Sequence, residues 1–197
     1  MNVKQLARDH GRTVFQAAFR VLNDHSRAED VQQSVFLRLI ERPMPSDQWS
    51  RIDEPAAYLS VMATRLAIDE LRRRRRWRFF AQDEEASLPA TAPQPPELQE
   101  RAAAAHRLRG AIARLPGRQA QCFALRVFEG CELGEIADHL SMSVNAVSVT
   151  LNRATHSLRK ALEVHEAHAP GPNDANRHES GRDESSRHES ESKGASS

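Results

Sequence analysis

The side chains best suited to chemistry lie on one short stretch near the end of the chain. Asn145, Ser148, Val149, Asn152 and Arg153 share a polar face, and Ser143 precedes them as a good helix N-cap. Amides and a guanidinium can hydrogen-bond base edges and phosphates, and Val149 can pack on a thymine methyl. The competing reading is a helical hairpin with an ordinary solvated polar face. A second cluster is the run Arg72-Arg73-Arg74-Arg75-Arg76, followed by Trp77, Arg78, Phe79 and Phe80. Cations at a helix C-terminus suit the helix dipole, but this run exceeds what capping requires. Arginines interleaved with aromatics suit phosphates and unstacked bases. A solvated basic helix end or a membrane-surface patch are the alternatives. No glycine-rich phosphate loop appears, and no acidic residue pairs with His or Cys in a catalytic pattern. The chain is therefore expected to be no enzyme, with no catalytic residue, metal or cofactor.

Helical elements must hold these groups. Leu133, Ile136, Ala137 and Leu140 recur at one helical face. Val147, Leu151, Ala154, Leu158 and Leu162 form the buried stripe of a following helix. Two such helices joined across Ser141-Met142-Ser143 describe a helix-turn-helix, the small Ala137 allowing close approach. Upstream, Leu98 to Leu115 predicts a helix stopped by Pro116-Gly117. Another, from about Arg118 to Phe128, buries Cys122, Phe123 and Leu125.

The N-terminal part reads as helical too. A first helix runs from about Val3 to Leu22, followed by a turn at Asn23-Asp24-His25. Ser26 and Glu29 have capping-box spacing for a second helix, whose inward residues are Val31, Val35, Phe36, Leu39 and Ile40. Pro43 and Pro45 break the pattern between Glu41 and Asp53, where Trp49 stands among polar residues. A further helix starts near Pro55, a favoured first helical position. Its apolar face holds Tyr58, Leu59, Met62, Ala63, Leu66, Ala67 and Leu71.

Composition bounds the reading. The chain has 197 residues, 28% charged and 5% aromatic, so its cores should be small and helical. A net charge of +1 leaves nucleic-acid affinity to local clusters. Cys122 and Cys131 lack metal or disulfide-framework spacing and fit a reducing cytoplasm as core hydrophobes. No apolar run approaches a membrane span, and the N-terminus lacks a signal-peptide core. Ala81 to Pro96 is acidic, then proline-rich, as a flexible linker would be. Beyond about Val164, repeats such as Arg177-His178-Glu179-Ser180 and Arg187-His188-Glu189-Ser190 offer nothing to bury and predict disorder. His178 and His188 are read as part of that solvated tail rather than as metal ligands. The expected organisation is all-α, with helical domains at 1–80 and 98–163, a linker at 81–97 and a tail at 164–197.

With these residues in hand the chain resembles the extracytoplasmic-function sigma factors of the sigma-70 family. The resemblance covers about Val3 to Leu162. Ala28-Glu29-Asp30-Val31-Gln32-Gln33-Ser34-Val35-Phe36-Leu37 resembles the family's helix that binds the beta-prime clamp of RNA polymerase. Tyr58-Leu59 through Ala67-Ile68-Asp69-Glu70-Leu71-Arg72-Arg73-Arg74 resembles the helix that meets the minus-10 element. Leu115-Pro116 with Phe123 to Gly130 resembles the start of region 4. Glu135-Ile136-Ala137 with Val147 and Arg153-Ala154 resembles its helix-turn-helix, which reads the minus-35 element.

The resemblance implies core polymerase as partner through the beta-prime clamp and beta flap, with Asp30, Gln33, Phe36 and Leu37 at the clamp. It implies minus-10 contacts by Trp49, Arg65, Arg72, Arg73 and Arg74. It implies minus-35 contacts by Ser143, Asn145, Ser148, Val149, Asn152 and Arg153. It also implies a cytoplasmic protein, not inserted in the membrane, that an anti-sigma factor holds until a stress or envelope signal. Ile52-Asp53-Glu54-Pro55-Ala56-Ala57-Tyr58-Leu59 is similar to a phrase of the iron-starvation subgroup, whose members answer to a membrane-anchored anti-sigma protein. Ser148 and Thr150 stand where the family often has Lys or Arg, and Ser34 where an acidic residue is frequent. A dimeric helix-turn-helix regulator is the alternative from the residues alone.

Overall fold

The computed structural model describes residues 2–50, 52–80 and 95–167, with the side chains of 46, 48, 78–80 and 164–167 not described. These residues form α1 (Val3–Leu22), α2 (His25–Glu41), α3 (Ser46–Trp49), α4 (Pro55–Phe80), α5 (Pro96–Arg114), α6 (Gly117–Phe128), α7 (Leu133–Leu140) and α8 (Val144–Ala167). Among the described residues there is no strand, as the helical periodicity predicts. The linker expected at 81–97 falls outside the described residues as far as Gln94. The tail falls outside them from His168, including His178 and His188.

Local chemistry fixes the first helices. The Asn2 side chain accepts from the Lys4 amide at 3.1 Å, and α1 ends on Asn23 in the left-handed region at φ 51°. Asn tolerates that conformation better than most residues. The N-cap of α2 is Asp24, whose carboxylate accepts from the Arg27 amide at 3.2 Å. This corrects the expected box of Ser26 and Glu29. Ser26 already lies inside the helix, and Glu29 instead approaches His25 at 3.5 Å. A single turn, α3, forms within the proline-broken stretch where no regular element was expected.

Val14, Ala17, Ala18 and Val21 of α1 pack with Ala28, Val31, Val35 and Leu39 of α2 and with Leu59, Ala63, Ala67 and Ile68 of α4. Gly11 allows the close crossing of α1 and α2: a Cβ there would stand 3.1 Å from Gln32 Nε2, which donates to the Gly11 carbonyl at 2.9 Å. The same core continues into Ala111, Ile112 and Leu115, Ala120 and Ala124, and Ala154 and Leu158. A second cluster gathers Cys122, Leu125, Cys131, Ile136, Ala137, Leu140 and Val147 around Val61 of α4. Each buried Val, Leu or Ile among them contributes roughly 1.5–3 kcal/mol by leaving water. The helices up to Leu162, those of both expected helical domains, pack into one compact unit. The Leu98 side chain, where the predicted α5 helix begins, is exposed. Helix α8 runs to Ala167, a turn past the expected boundary.

Candidate nucleic-acid interface

The helix-turn-helix is built by its caps. The Glu135 carboxylate accepts from the Glu132 amide at 2.6 Å and so closes the start of α7. Helix α7 ends on Ser141 at φ 51°, and the Met142 amide returns to the Ala137 carbonyl at 2.9 Å. A serine in that conformation costs on the order of 1 kcal/mol, which the turn sustains through these bonds. Ser143 Oγ then accepts from the Ala146 amide at 3.2 Å, as an N-cap should. Its hydroxyl therefore serves α8 first.

Val147, Ala154 and Leu158 of α8 are buried, and Asn145, Val149, Asn152 and Arg153 are exposed on the other side. Ser148 is half-buried. Arg153 makes no ion pair with any described residue. Val144, exposed at the start of α8, belongs to the same surface and was not singled out from sequence, because an isolated valine carries no polar signal.

The arginines of α4 divide into groups. Arg65 Nη1 donates to the His139 carbonyl at 2.9 Å, and Arg72 Nε donates to the Leu115 carbonyl at 3.2 Å. Arg73 pairs with Glu70 at 2.7 Å, and Glu70 also meets Arg27 at 3.3 Å. Arg74 lies 4.0 Å from Asp24. Arg75, Arg76 and Trp77 are exposed. Sequence reasoning gave the whole run one character, because charge density alone does not say which cation meets a carbonyl. Trp49 does not stand alone: its ring meets Tyr58 edge-on, with centroids 6.2 Å apart. Burial raises the Tyr58 phenol above its ordinary range, and the nearby Arg65 charge offsets part of that shift.

On α2, Asp30, Gln33, Phe36 and Leu37 line one open groove of about 600 Å³ with Ile40 and Ala7. Phe36 is half-buried against the core, whereas Leu37 and Ile40 are 53% and 63% exposed. Ile40, expected inward, instead faces solvent. Two exposed aliphatics beside an aromatic and two polar groups form the sort of patch that anchors protein interfaces.

A buried carboxylate that no sequence pattern marks links the helical groups. Glu129, just after α6, accepts from Ser60 Oγ, from Thr64 Oγ1 at 2.7 Å and from Arg20 Nη2 at 2.8 Å. Burial alone would raise its pKa. The bonds from Ser60, Thr64 and Arg20, with the Arg20 charge, outweigh burial and hold it below the usual carboxylate range.

Among the described residues no group of three or more His, Cys, Asp or Glu side chains could hold a metal ion. No described helix is long and apolar enough to cross a membrane.

Residues 6–77 match the family model for sigma-70 region 2, and residues 105–155 match that for sigma-70 region 4. The chain is 27% identical over 164 residues to the ECF RNA polymerase sigma factor SigE of Mycolicibacterium smegmatis, covering 83% of this chain and 62% of that protein. It is 28% identical over 145 residues to the ferric citrate uptake sigma factor FecI of Escherichia coli, covering 73% of this chain and 82% of the relative. Its fold is similar to the sigma factor RpoE of Bartonella quintana, solved with the anti-sigma factor NepR. That match has a TM-score of 0.50 at 18% identity, covering 82% of this chain and 96% of the other.

Proposed function

As this chain belongs to the extracytoplasmic-function sigma factors of the sigma-70 family, we propose that it is an alternative sigma subunit that directs core RNA polymerase to a promoter. The observation that carries this reading is the α2 groove. Asp30, Gln33, Phe36 and Leu37 converge there beside exposed Ile40, an anchor for a protein partner on a chain that also has a helix-turn-helix. The partner on α2 is the beta-prime clamp, and the beta flap is met by the region 4 helices. The chain itself performs no bond chemistry, which the polymerase supplies, and it acts in the cytoplasm with that enzyme.

In this reading the exposed face of α8 meets the minus-35 element. Asn145, Val149 and Asn152 reach base edges, while Ser143, Ser148 and Arg153 secure position on the backbone. The basic end of α4 meets the minus-10 element through Arg65, Arg72, Arg73 and Arg74, with Trp49 near an extruded base. An anti-sigma factor is the proposed regulator; the RpoE neighbour's complex with NepR is a precedent for such a partner.

Transcription from a cognate promoter by core polymerase plus this protein alone tests the proposal. Specific transcripts that start at one site are expected. Operator binding by a dimer, with no polymerase association and no transcript, would replace this reading with that of a helix-turn-helix regulator.

A further inference from the structure

Helix α1 turns a face to solvent that none of the sites above uses. Arg8, Arg12, Phe15 and Phe19 follow at i, i+4, i+7 and i+11, so they share that face. Lys4, Arg8 and Arg12 are exposed and make no ion pair among the described residues. Cations four residues apart on a helix repel one another unless an anion lies over them. Asp9 does not serve them: it accepts from Gln5 Nε2 at 2.9 and 3.0 Å. At the other end of the face the Phe15 and Phe19 rings lie nearly parallel, 16° apart with centroids at 5.8 Å. The His25 ring covers Phe15 from the start of α2, with centroids at 4.9 Å. Phe15 packs against the core, whereas Phe19 remains 38% exposed. The buried ring thus fixes the exposed one, whose π-face is open to water.

We propose that this face of α1 is a stacking platform for an unpaired nucleic-acid strand, with Phe19 under a base and Arg8 and Arg12 on phosphates. The strand is the melted promoter strand beyond the basic end of α4, an identity that rests on the function proposed above. Three observations favour a strand over a protein partner. An exposed aromatic held flat by a second ring takes any base, and cations along the same helix track the backbone. Arg8 to Phe19 spans about 17 Å of helix, room for about five nucleotides at a stacked spacing of about 3.4 Å. The platform also continues the basic end of α4. Arg74 lies 4.0 Å from Asp24, the N-cap of α2, and His25 of the platform is the next residue. The carboxylates at this junction have cationic or imidazole partners. Asp24 is also met by Arg27 at 3.1 Å, and Glu29 lies 3.5 Å from His25.

The test uses the full chain, a labelled oligothymidylate of about twelve nucleotides and a duplex of equal length, with fluorescence anisotropy as readout. The variants are Phe19→Ala, Phe19→Trp and the paired change Arg8→Gln/Arg12→Gln. Circular dichroism checks the fold, and the paired change touches exposed side chains alone, so it stays informative if Phe19→Ala unfolds. Wild type should bind the single strand at low salt. Phe19→Ala should weaken that binding at least fivefold, the lower end of what one stacked base supplies, and Phe19→Trp should restore it. The paired change should flatten the salt slope by about 1.4, two phosphate contacts at about 0.7 each for a single strand. Duplex binding should not change in any variant. Absence of single-strand binding by wild type, or variants with wild-type affinity and slope, overturns the platform. So does an equal loss on single strand and duplex. Variants that keep the strand but lose core polymerase in competition would make the face a protein interface and overturn it too. Failure to transcribe with core polymerase would instead sink the proposed function, while the oligonucleotide would still decide whether α1 holds a strand.

Discussion

Arg118, in the first turn of α6, donates through Nη1 at 3.0 Å to the carbonyl of Leu140, the last residue of α7. The final carbonyls of a helix lack internal donors, and a guanidinium there both satisfies one and complements the helix dipole. The contact ties α6 to the turn that leads into α8. Hydrogen bonds to charged groups contribute about 1.5–3 kcal/mol when shielded. Arg118 is exposed, so solvent screening reduces this to about 1 kcal/mol or less. Arg118→Ala should lower the urea midpoint accordingly, and Arg118→Lys should recover only part. A midpoint equal to wild type would show that the turn is held by its caps alone.

Cys122 and Cys131 are both buried, and both thiols are held above their usual pKa. For Cys131 the value is pushed up to about 11, by burial first and then by the charges of Glu135 and Glu129. The thiolate is the nucleophile, and two pH units above the usual value means roughly a hundredfold less of it near neutrality. Alkylation of the native protein at pH 8 should be slow and become fast in denaturant. Rapid labelling of Cys131 in the native state would contradict its burial.

The apolar periodicity foretold α1, α4 and α8, because a stripe such as Val147, Ala154 and Leu158 needs only helix geometry to be seen. The turn at Ser141 and the cap at Ser143 followed from local chemistry. The union of the helical groups did not. Its polar contacts are single, such as Glu129 with Ser60 and Thr64, and join residues more than 60 positions apart without periodicity. Its apolar members, such as Val61, look from sequence like ordinary face residues of α4. The same blindness hid the different partners of Arg65, Arg72 and Arg73, since identical side chains in a run carry no directional signal.

The α2 groove carries the next prediction. Asp30 and Gln33 are exposed on its rim, and Phe36 is anchored beside them, so truncation of the first two removes polar contacts without emptying the core. Asp30→Ala combined with Gln33→Ala should weaken binding to core polymerase while thermal stability stays close to wild type. Unchanged affinity in competition would move the clamp contact elsewhere.

For the minus-10 helix, the different partners of Arg72 and Arg73 separate two effects. Arg73 meets Glu70 of its own helix, whereas Arg72 also holds the Leu115 carbonyl across the unit. Both substitutions to alanine should slow open-complex formation more than closed-complex binding, because melted strands demand compensating positive charge. Only Arg72→Ala should also enlarge the free protein. Permanganate footprinting reads the melting and scattering reads the size. Normal melting in the double variant would reject the assignment.

The recognition helix gives the sharpest test. Asn145 stands exposed in the first turn of α8, and Arg153 stands more than two turns further along, without an ion pair among the described residues. A helix that enters the major groove by its N-terminus brings Asn145 to base edges, where an amide can pair bidentately with adenine. Arg153 is then too far along for a base and reaches phosphate. Loss of a base-reading side chain costs about 1–3 kcal/mol at one position, whereas loss of a phosphate contact weakens all sequences alike. Asn145→Ala should therefore relax preference at a single minus-35 position. Arg153→Ala should lower affinity uniformly and reduce the salt dependence by about one phosphate contact. Binding to a panel of singly substituted minus-35 duplexes at two salt concentrations distinguishes them. A uniform loss for Asn145→Ala, or a position-specific loss for Arg153→Ala, would mean that α8 enters the groove in another orientation.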